Sequence, residues 1–200
     1  MKLLLLFSLL VGIYVSVDAF IDWGSSRKLM SEIDFYNMLR RGFAKNNSMP
    51  DMWKLNWDND LVAEAEKFDC NVVPPRKNYR YYLNGGGKEQ KQLDSVLIAW
   101  LQKNDKTNPE EVRAKFKTWD KNTAGFLELF NPIQTQIGCA NIHCTFKRGD
   151  ITVTHTHVCL FGPSNRLTYS LPLNEKANTP AGSQCGPKGK SDGDGLCIPK

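Results

Sequence analysis

Six cysteines downstream of an apolar leader constrain this chain more than any other feature. An even number of cysteines in an oxidising compartment indicates three disulfides within one domain. A structural zinc site would require paired short spacings such as Cys-x-x-Cys, and the sequence contains none. Spacing alone leaves the pairing open. The six are Cys70, Cys139, Cys144, Cys159, Cys185 and Cys197.

The leader, residues 1–19, has the pattern of a secretory signal peptide. Lys2 supplies the positive charge, an uncharged apolar run follows, and Val17 and Ala19 are the small residues of a cleavage site. A membrane-spanning helix would need about 20 apolar residues, and this run is shorter. We therefore expect cleavage before Phe20 and a secreted, extracellular protein with no transmembrane segment.

Two surface features bear on partners and modification. The net charge of +5 is spread along the chain, with no dense basic run interleaved with aromatic residues, which argues against nucleic-acid binding. Asn46-Asn47-Ser48 is a glycosylation sequon, so Asn46 is expected at the surface and is a candidate glycosylation site.

Apolar residues at helical spacing predict four helices after a short N-terminal lead over residues 20–30. Ser31 followed by Asp34 resembles a capping box, and Phe35, Leu39 and Phe43 form one apolar face. Pro-Pro and Gly-Gly-Gly punctuation predicts a long loop that includes a short strand. The predicted helices are 31–45, Asp58 to near Cys70, 89–103 and one from Asn108, and the loop is 72–87 with its strand at 79–83.

The residue composition changes in the last third of the chain. Residues 137–146 and 151–161 are rich in β-branched and aromatic residues, and the segment between them contains Gly149, so a β-hairpin is predicted. Helices first and strands later indicate an α+β domain. Residues 173–200, the Cys-containing tail, are rich in Gly, Pro, Ser and Lys and are predicted to be irregular.

The hairpin sequence resembles the signature strands of the CAP superfamily (SCP domain), which includes cysteine-rich secretory proteins, antigen 5 and pathogenesis-related 1 proteins. Segment 36–40 is similar to the family's His-Asn-x-x-Arg, and segment 52–61 to its Met-x-x-Leu-x-Trp-Asp-x-x-Leu. Gly195-Leu196-Cys197 is similar to the tail of the nematode secreted members, from which this chain is divergent. The signature strands are carried by Ile137-Gly138-Cys139-Ala140, Cys144 and Val158-Cys159-Leu160-Phe161-Gly162-Pro163.

The resemblance implies a CAP domain over residues 31–172. Its fold would be an α-β-α sandwich, with a three-stranded antiparallel sheet between helices. It also implies the disulfide pairing, which is Cys139–Cys159, Cys70–Cys144 and Cys185–Cys197.

Many family members carry two His and two Glu in a cleft that can hold zinc. The corresponding positions here are Tyr36, Tyr79 or Arg80, Lys103, and Gly125 or Phe126. Divalent metals need several imidazole or carboxylate donors, which these side chains do not supply. The resemblance therefore implies a degenerate metal site. With the cysteines assigned to bridges and no Gly-x-Ser-x-Gly elbow, we expect no catalytic residue and no cofactor.

The three histidines offer an alternative metal site. If Cys139 lies opposite Cys159, the hairpin register places His143 across from His155 and one diagonal step from His157. Three imidazoles could bind zinc or copper. The simpler interpretation is that they lie between strands and helices and bond to the backbone.

Tyr79, Arg80, Tyr81 and Tyr82 form a basic, aromatic segment that borders the cleft in family members. Tyr and Arg are enriched at binding hot spots, so this segment is a candidate recognition surface. Packing of the aromatic rings in the core is the equal alternative.

These observations favour a secreted, non-enzymatic protein that binds an extracellular protein or lipid. The alternatives are a hydrolase of the CAP type, which the missing metal ligands argue against, and a carrier of a sterol or fatty acid. Family analogy alone does not choose between a protein and a lipid partner.

Overall fold

The structure is a computed structural model that describes residues 31–71, 78–121, 125–167 and 179–200. The predicted signal peptide and the N-terminal lead lie outside these residues. None of the helices in the described ranges combines the length and the apolar character that crossing a membrane requires.

The first helix, α1 (Glu32–Asn46), begins where the cap pattern predicts. The hydroxyl oxygen of Ser31 accepts a hydrogen bond from the backbone N–H of Asp34 at 3.3 Å, which satisfies a free donor of the first turn. Phe35 and Leu39 lie on its buried face. The end of the helix falls within one residue of the predicted end.

The second helix, α2 (Asn59–Ala65), is shorter than predicted. A carboxylate oxygen of Asp58 accepts from the backbone N–H groups of Asp60 at 2.9 Å and Leu61 at 3.0 Å, which caps the helix. The helix crosses the sheet at Gly138, where an added Cβ would lie 2.3 Å from the backbone nitrogen of Val62. Glycine at this position therefore allows the backbones of helix and strand to touch.

Two further helices follow, α3 (Gly87–Thr107) and α4 (Pro109–Lys121). Helix α4 starts at the predicted Asn108-Pro109 boundary, and α3 extends past the predicted helix at both ends. A 3₁₀ helix over Gly125–Phe130 was not predicted. Five of its six residues are buried, so its sequence has no apolar–polar period to reveal it.

The α+β class is confirmed, but the sheet has four strands and not the three that were predicted. The strand order is β1-β3-β4-β2. The additional strand β1 has two residues and runs parallel to β3, so the sheet is not wholly antiparallel. The strands are β1 (Asn56–Trp57), β2 (Arg80–Asn84), β3 (Gln136–Arg148) and β4 (Ile151–Gly162).

Helices cover both faces of the sheet. Because side chains alternate along a strand, Cys159 and Phe161 of β4 lie in one core cluster with Tyr36 of α1. Val158 and Leu160 lie in a second cluster on the opposite face, where α2 packs. The predicted α-β-α layering is therefore present.

The tail is more regular than predicted. Residues 179–200 contain a small hairpin of β5 (Gly189–Ser191) and β6 (Cys197–Pro199). The backbone N–H of Cys197 donates to the carbonyl of Met52 at 2.7 Å, and Leu196 is fully buried. One apolar residue in the core and a disulfide order this segment despite its polar composition.

Candidate functional site

Among the positions that align with the family's metal ligands, three whose side chains are described lie on both faces of the sheet. Tyr36 and Phe126 are 1% and 4% exposed and belong to the core cluster under α1. Tyr79 belongs to the cluster on the opposite face. Lys103 lies in α3, and its side chain is outside the described part of the structure.

Tyr36 packs against the disulfide of the central strands. Its hydroxyl lies 3.2 Å from the sulfur of Cys159, and its ring makes an edge contact with Phe161 at a centroid distance of 6.4 Å. A phenol at this position fills the space between α1 and the sheet. The aromatic ring supplies packing where the family motif has an imidazole.

A buried polar group lies beside Tyr36. The side-chain amide of Gln90 donates to the hydroxyl oxygen of Tyr82 at 2.7 Å. Burial, with the nearby Asp94 and Tyr36, holds the pKa of Tyr82 well above its usual value. Burial also raises the pKa of Asp94 to about 7. Tyr82 and Gln90 on this face are thus neutral near pH 7, whereas Asp94 is protonated only below about that pH. Gln90 and Asp94 were missed because they sit between apolar residues of a predicted helix.

A second polar group joins the start of α1 to the sheet. Nε2 of His157 lies 2.8 Å from a carboxylate oxygen of Glu32, and Nδ1 lies 3.1 Å from the side-chain oxygen of Asn141. Among the described residues, one set of potential metal ligands clusters here, namely Glu32 and His157 with Cys139 and Cys159. Both sulfurs are joined in a disulfide, so neither is the thiolate that a metal needs.

The predicted register of the three histidines is wrong. Cys139 pairs with Cys159 as assumed, but an extra residue in β3 between Asn141 and Cys144 shifts the pairing beyond it. His155 therefore lies opposite Cys144 and not opposite His143. His143 is exposed, and His157 contacts Glu32, so the proposed imidazole cluster is not formed.

The candidate recognition surface at Tyr79–Tyr82 lies in and just before strand β2, where most of its side chains are buried, as the packing alternative expects. Tyr79, Arg80 and Tyr82 are 7%, 3% and 1% exposed. Tyr81 is half-buried against Phe68, with ring centroids 5.3 Å apart. The packing interpretation holds for this segment.

Arg40, at the Arg position of the family's first-helix motif, holds several loops together. Its guanidinium donates to the carbonyls of Trp53 at 2.8 Å, Leu129 at 2.6 Å, and Asn131 and Gln134 at 3.2 Å each. The side chain is fully buried, and burial lowers its pKa to about 9. This arginine therefore stabilises the surrounding loops, and none of its N–H donors is accessible to a ligand.

The cysteines pair as the resemblance implies. All six are bridged, so the chain has no free thiol. Asn46 of the sequon is exposed at the last turn of α1. The bridges are Cys70–Cys144, Cys139–Cys159 and Cys185–Cys197.

Neither a family model nor a curated protein sequence matches the chain. The solved structures that are similar to it include the following two. The crystal structure of hookworm platelet inhibitor has 16% identity and a TM-score of 0.43, covering 84% of this chain and 87% of that one. The crystal structure of MpPR-1i has 16% identity and a TM-score of 0.31, covering 70% of this chain and 94% of that one.

Proposed function

We propose that this chain is a divergent CAP superfamily protein that is secreted and acts by binding an extracellular protein, without a metal and without catalysis. The signature-strand motifs and the order of helices and strands support the family. The leader and the three disulfides support secretion, because disulfides persist in oxidising compartments.

The observation that carries the proposal is the burial of Tyr36. A phenol that is 1% exposed and in contact with the Cys139–Cys159 bridge occupies the position of a family metal ligand. Phenol and aromatic rings in place of imidazoles leave too few donors for a divalent ion. Loss of the metal removes the Lewis acid and the activated water on which a metal hydrolase depends.

Among the described residues, we find no other nucleophile or catalytic pair that would take the place of a metal-activated water. The cysteines are bridged, which removes thiolate nucleophiles. Glu32 and His157 contact each other and form a link between α1 and β4. Binding a partner requires a complementary surface and no reactive centre. Bridged cysteines and a His157–Glu32 pair that links two elements therefore fit a binding role better than a hydrolytic one.

A calorimetric zinc titration with a parallel hydrolysis assay tests the proposal. Purified secreted protein, with its disulfides intact, should give no saturable zinc binding in the cleft and no turnover of peptide or ester substrates above the buffer blank. Tyr36→Phe keeps the ring and removes the hydroxyl, so it should behave identically. Turnover that zinc restores and a chelator abolishes would contradict the proposal.

Mass spectrometry of lipid extracted from the same preparation addresses the carrier alternative. A protein binder should carry no stoichiometric sterol or fatty acid. One bound lipid per chain would favour the carrier and overturn the protein-binding proposal.

A further inference from the structure

The turn that joins β3 to β4 has a defined geometry. Arg148 and Ile151 are register partners, so Gly149 and Asp150 form a two-residue loop. Gly149 has φ +63°, and Ser48 is the only described residue other than glycine with a positive φ. A positive φ at the first loop position and not at the second is the pattern of a type II′ turn, which selects glycine first.

This turn lies at the end of a ribbon that extends past the rest of the sheet. Strand β1 pairs with β3 only at residues 136–137, and β2 pairs with β4 only as far as His157. The eight residues from Asp150 to His157 are separated by seven steps and span about 23 Å at the rise of a β-strand. Lys147, Gly149 and Asp150 are exposed.

The ribbon is braced along its length. Val153 is 1% exposed, the hydroxyls of Thr145 and Thr154 lie 3.0 Å apart, and the Cys70–Cys144 bridge ties its base to the segment after α2. A braced tip loses less conformational freedom on binding than a flexible loop does. The turn is therefore suited to presenting its residues to a partner.

The geometry of the turn explains only part of the sequence at the tip of the ribbon, residues 148–150. It requires Gly149 and accepts Asp150, but it places no demand on position 148. The tripeptide Arg148-Gly149-Asp150 places a guanidinium-bearing and a carboxylate-bearing residue on either side of one glycine. A guanidinium binds a carboxylate in bidentate fashion, and an exposed aspartate can complete the coordination of a divalent cation.

We propose that Arg148-Gly149-Asp150 is a recognition loop for a cell-surface receptor whose site combines an acidic pocket with a bound divalent cation, the chemistry of integrin ectodomains. This inference rests on the proposed binding function and names its partner class. Asp150 supplies the cation ligand, and Arg148 supplies the group for the acidic pocket.

Binding of full-length protein to soluble ectodomains of Arg-Gly-Asp-binding integrins, measured by surface plasmon resonance, tests the inference. We expect saturable binding in magnesium or manganese that a chelator abolishes. Asp150→Glu keeps the charge but lengthens the side chain by one methylene, and should weaken binding about tenfold or more because cation coordination is sensitive to ligand position. Thr152→Ala, an exposed change beside the tripeptide, is the matched control and should bind as wild type does.

Competition with short linear peptides judges the inference independently of whether any variant folds. An Arg-Gly-Asp peptide should displace the protein, and an Arg-Gly-Glu peptide should not. Absence of binding to every ectodomain in magnesium and manganese would overturn the inference, as would binding that survives both the chelator and Asp150→Glu.

Vesicles of phosphatidylserine and phosphatidylcholine test a membrane role for the same tip. Cation-independent binding to anionic vesicles that Lys147→Ala weakens and Asp150→Glu leaves unchanged, with no integrin binding, would overturn the inference in favour of a lipid surface. The hydrolysis assay distinguishes failure of the proposed binding function from failure of this partner class alone. Metal-dependent turnover removes the proposed function, whereas loss of integrin binding alone removes only this partner class.

Discussion

Arg80 and Glu128 form a bidentate ion pair inside the domain. Nε and Nη2 of the guanidinium lie 2.6 Å from the two carboxylate oxygens, and the side chains are 2% and 1% exposed. The pair joins the edge strand β2 to the 3₁₀ helix. Its geometry satisfies both carboxylate oxygens at once, which a buried charge requires.

We expect Glu128→Gln to lower the free energy of unfolding by about 3–5 kcal/mol, because it leaves the guanidinium buried without a counter-charge. Urea unfolding with the disulfides intact measures this. Replacing both partners by apolar residues, as in Arg80→Met with Glu128→Leu, should cost less than the single change. A double variant less stable than Glu128→Gln would contradict this account.

Arg40 and its neighbour Arg41 form a matched pair for a second test. Arg40→Lys keeps a positive charge but removes the planar fork that reaches several carbonyls, so we expect a loss of about 3 kcal/mol or more. Arg41, which is 25% exposed and paired with Asp192, should tolerate Arg41→Lys within about 1 kcal/mol. Urea unfolding compares the two, and failure to recover folded Arg40→Lys beside normal Arg41→Lys supports the same conclusion. Equal losses would show that burial of Arg40 is not decisive.

The carboxyl of Asp94 gives the stability a defined pH dependence. Its folded pKa of about 7 lies above that of an unfolded aspartate, about 3.9. Between these values the folded state holds a proton that the unfolded chain has released, so the free energy of unfolding falls as pH rises through this window.

Asp94→Asn removes that dependence. The variant should match wild type near pH 4 and be more stable at pH 8, by at most about 4 kcal/mol and by less where water reaches the carboxyl. Glu89→Gln, an exposed change in the same helix, should alter stability little at either pH. Urea unfolding at both pH values measures the difference, and an Asp94→Asn effect that is the same at pH 4 and pH 8 would contradict the prediction.

The Cys185–Cys197 bridge encloses a short loop with a sequence separation of 12. Cys185→Ala with Cys197→Ala should lower the free energy of unfolding by about 3 kcal/mol through the entropy of the unfolded chain. Limited proteolysis should then cut within residues 179–200 while the β3–β4 hairpin stays intact. Unchanged thermal unfolding and unchanged proteolysis would show that burial of Leu196 is sufficient to hold the segment.

The sequence predicts those elements whose causes are local. The Ser31 cap and the Asn108-Pro109 start place two helices to within a residue, because capping depends on neighbouring residues only. The β3–β4 hairpin follows from Gly149 and two β-branched runs. The α+β class follows from the order of these elements.

The parts that were missed depend on contacts between distant residues. Strand β1 has two residues and exists only because β3 lies beside it. The extra residue between Asn141 and Cys144 has no sequence pattern, and it alone removes the predicted histidine cluster. Arg80 looks like a surface residue until Glu128 is brought to it, so the recognition surface could not be judged from the sequence.

The burial of Leu196 has a consequence for the timing of biosynthesis. Phe35 and the other early core residues share a cluster with a side chain that is made long after them. Native packing must therefore wait until the segment around residue 197 has left the ribosome. Cys185 and Cys197 are also the last pair of bridging cysteines to become available, so oxidation of that pair would mark completion of the domain.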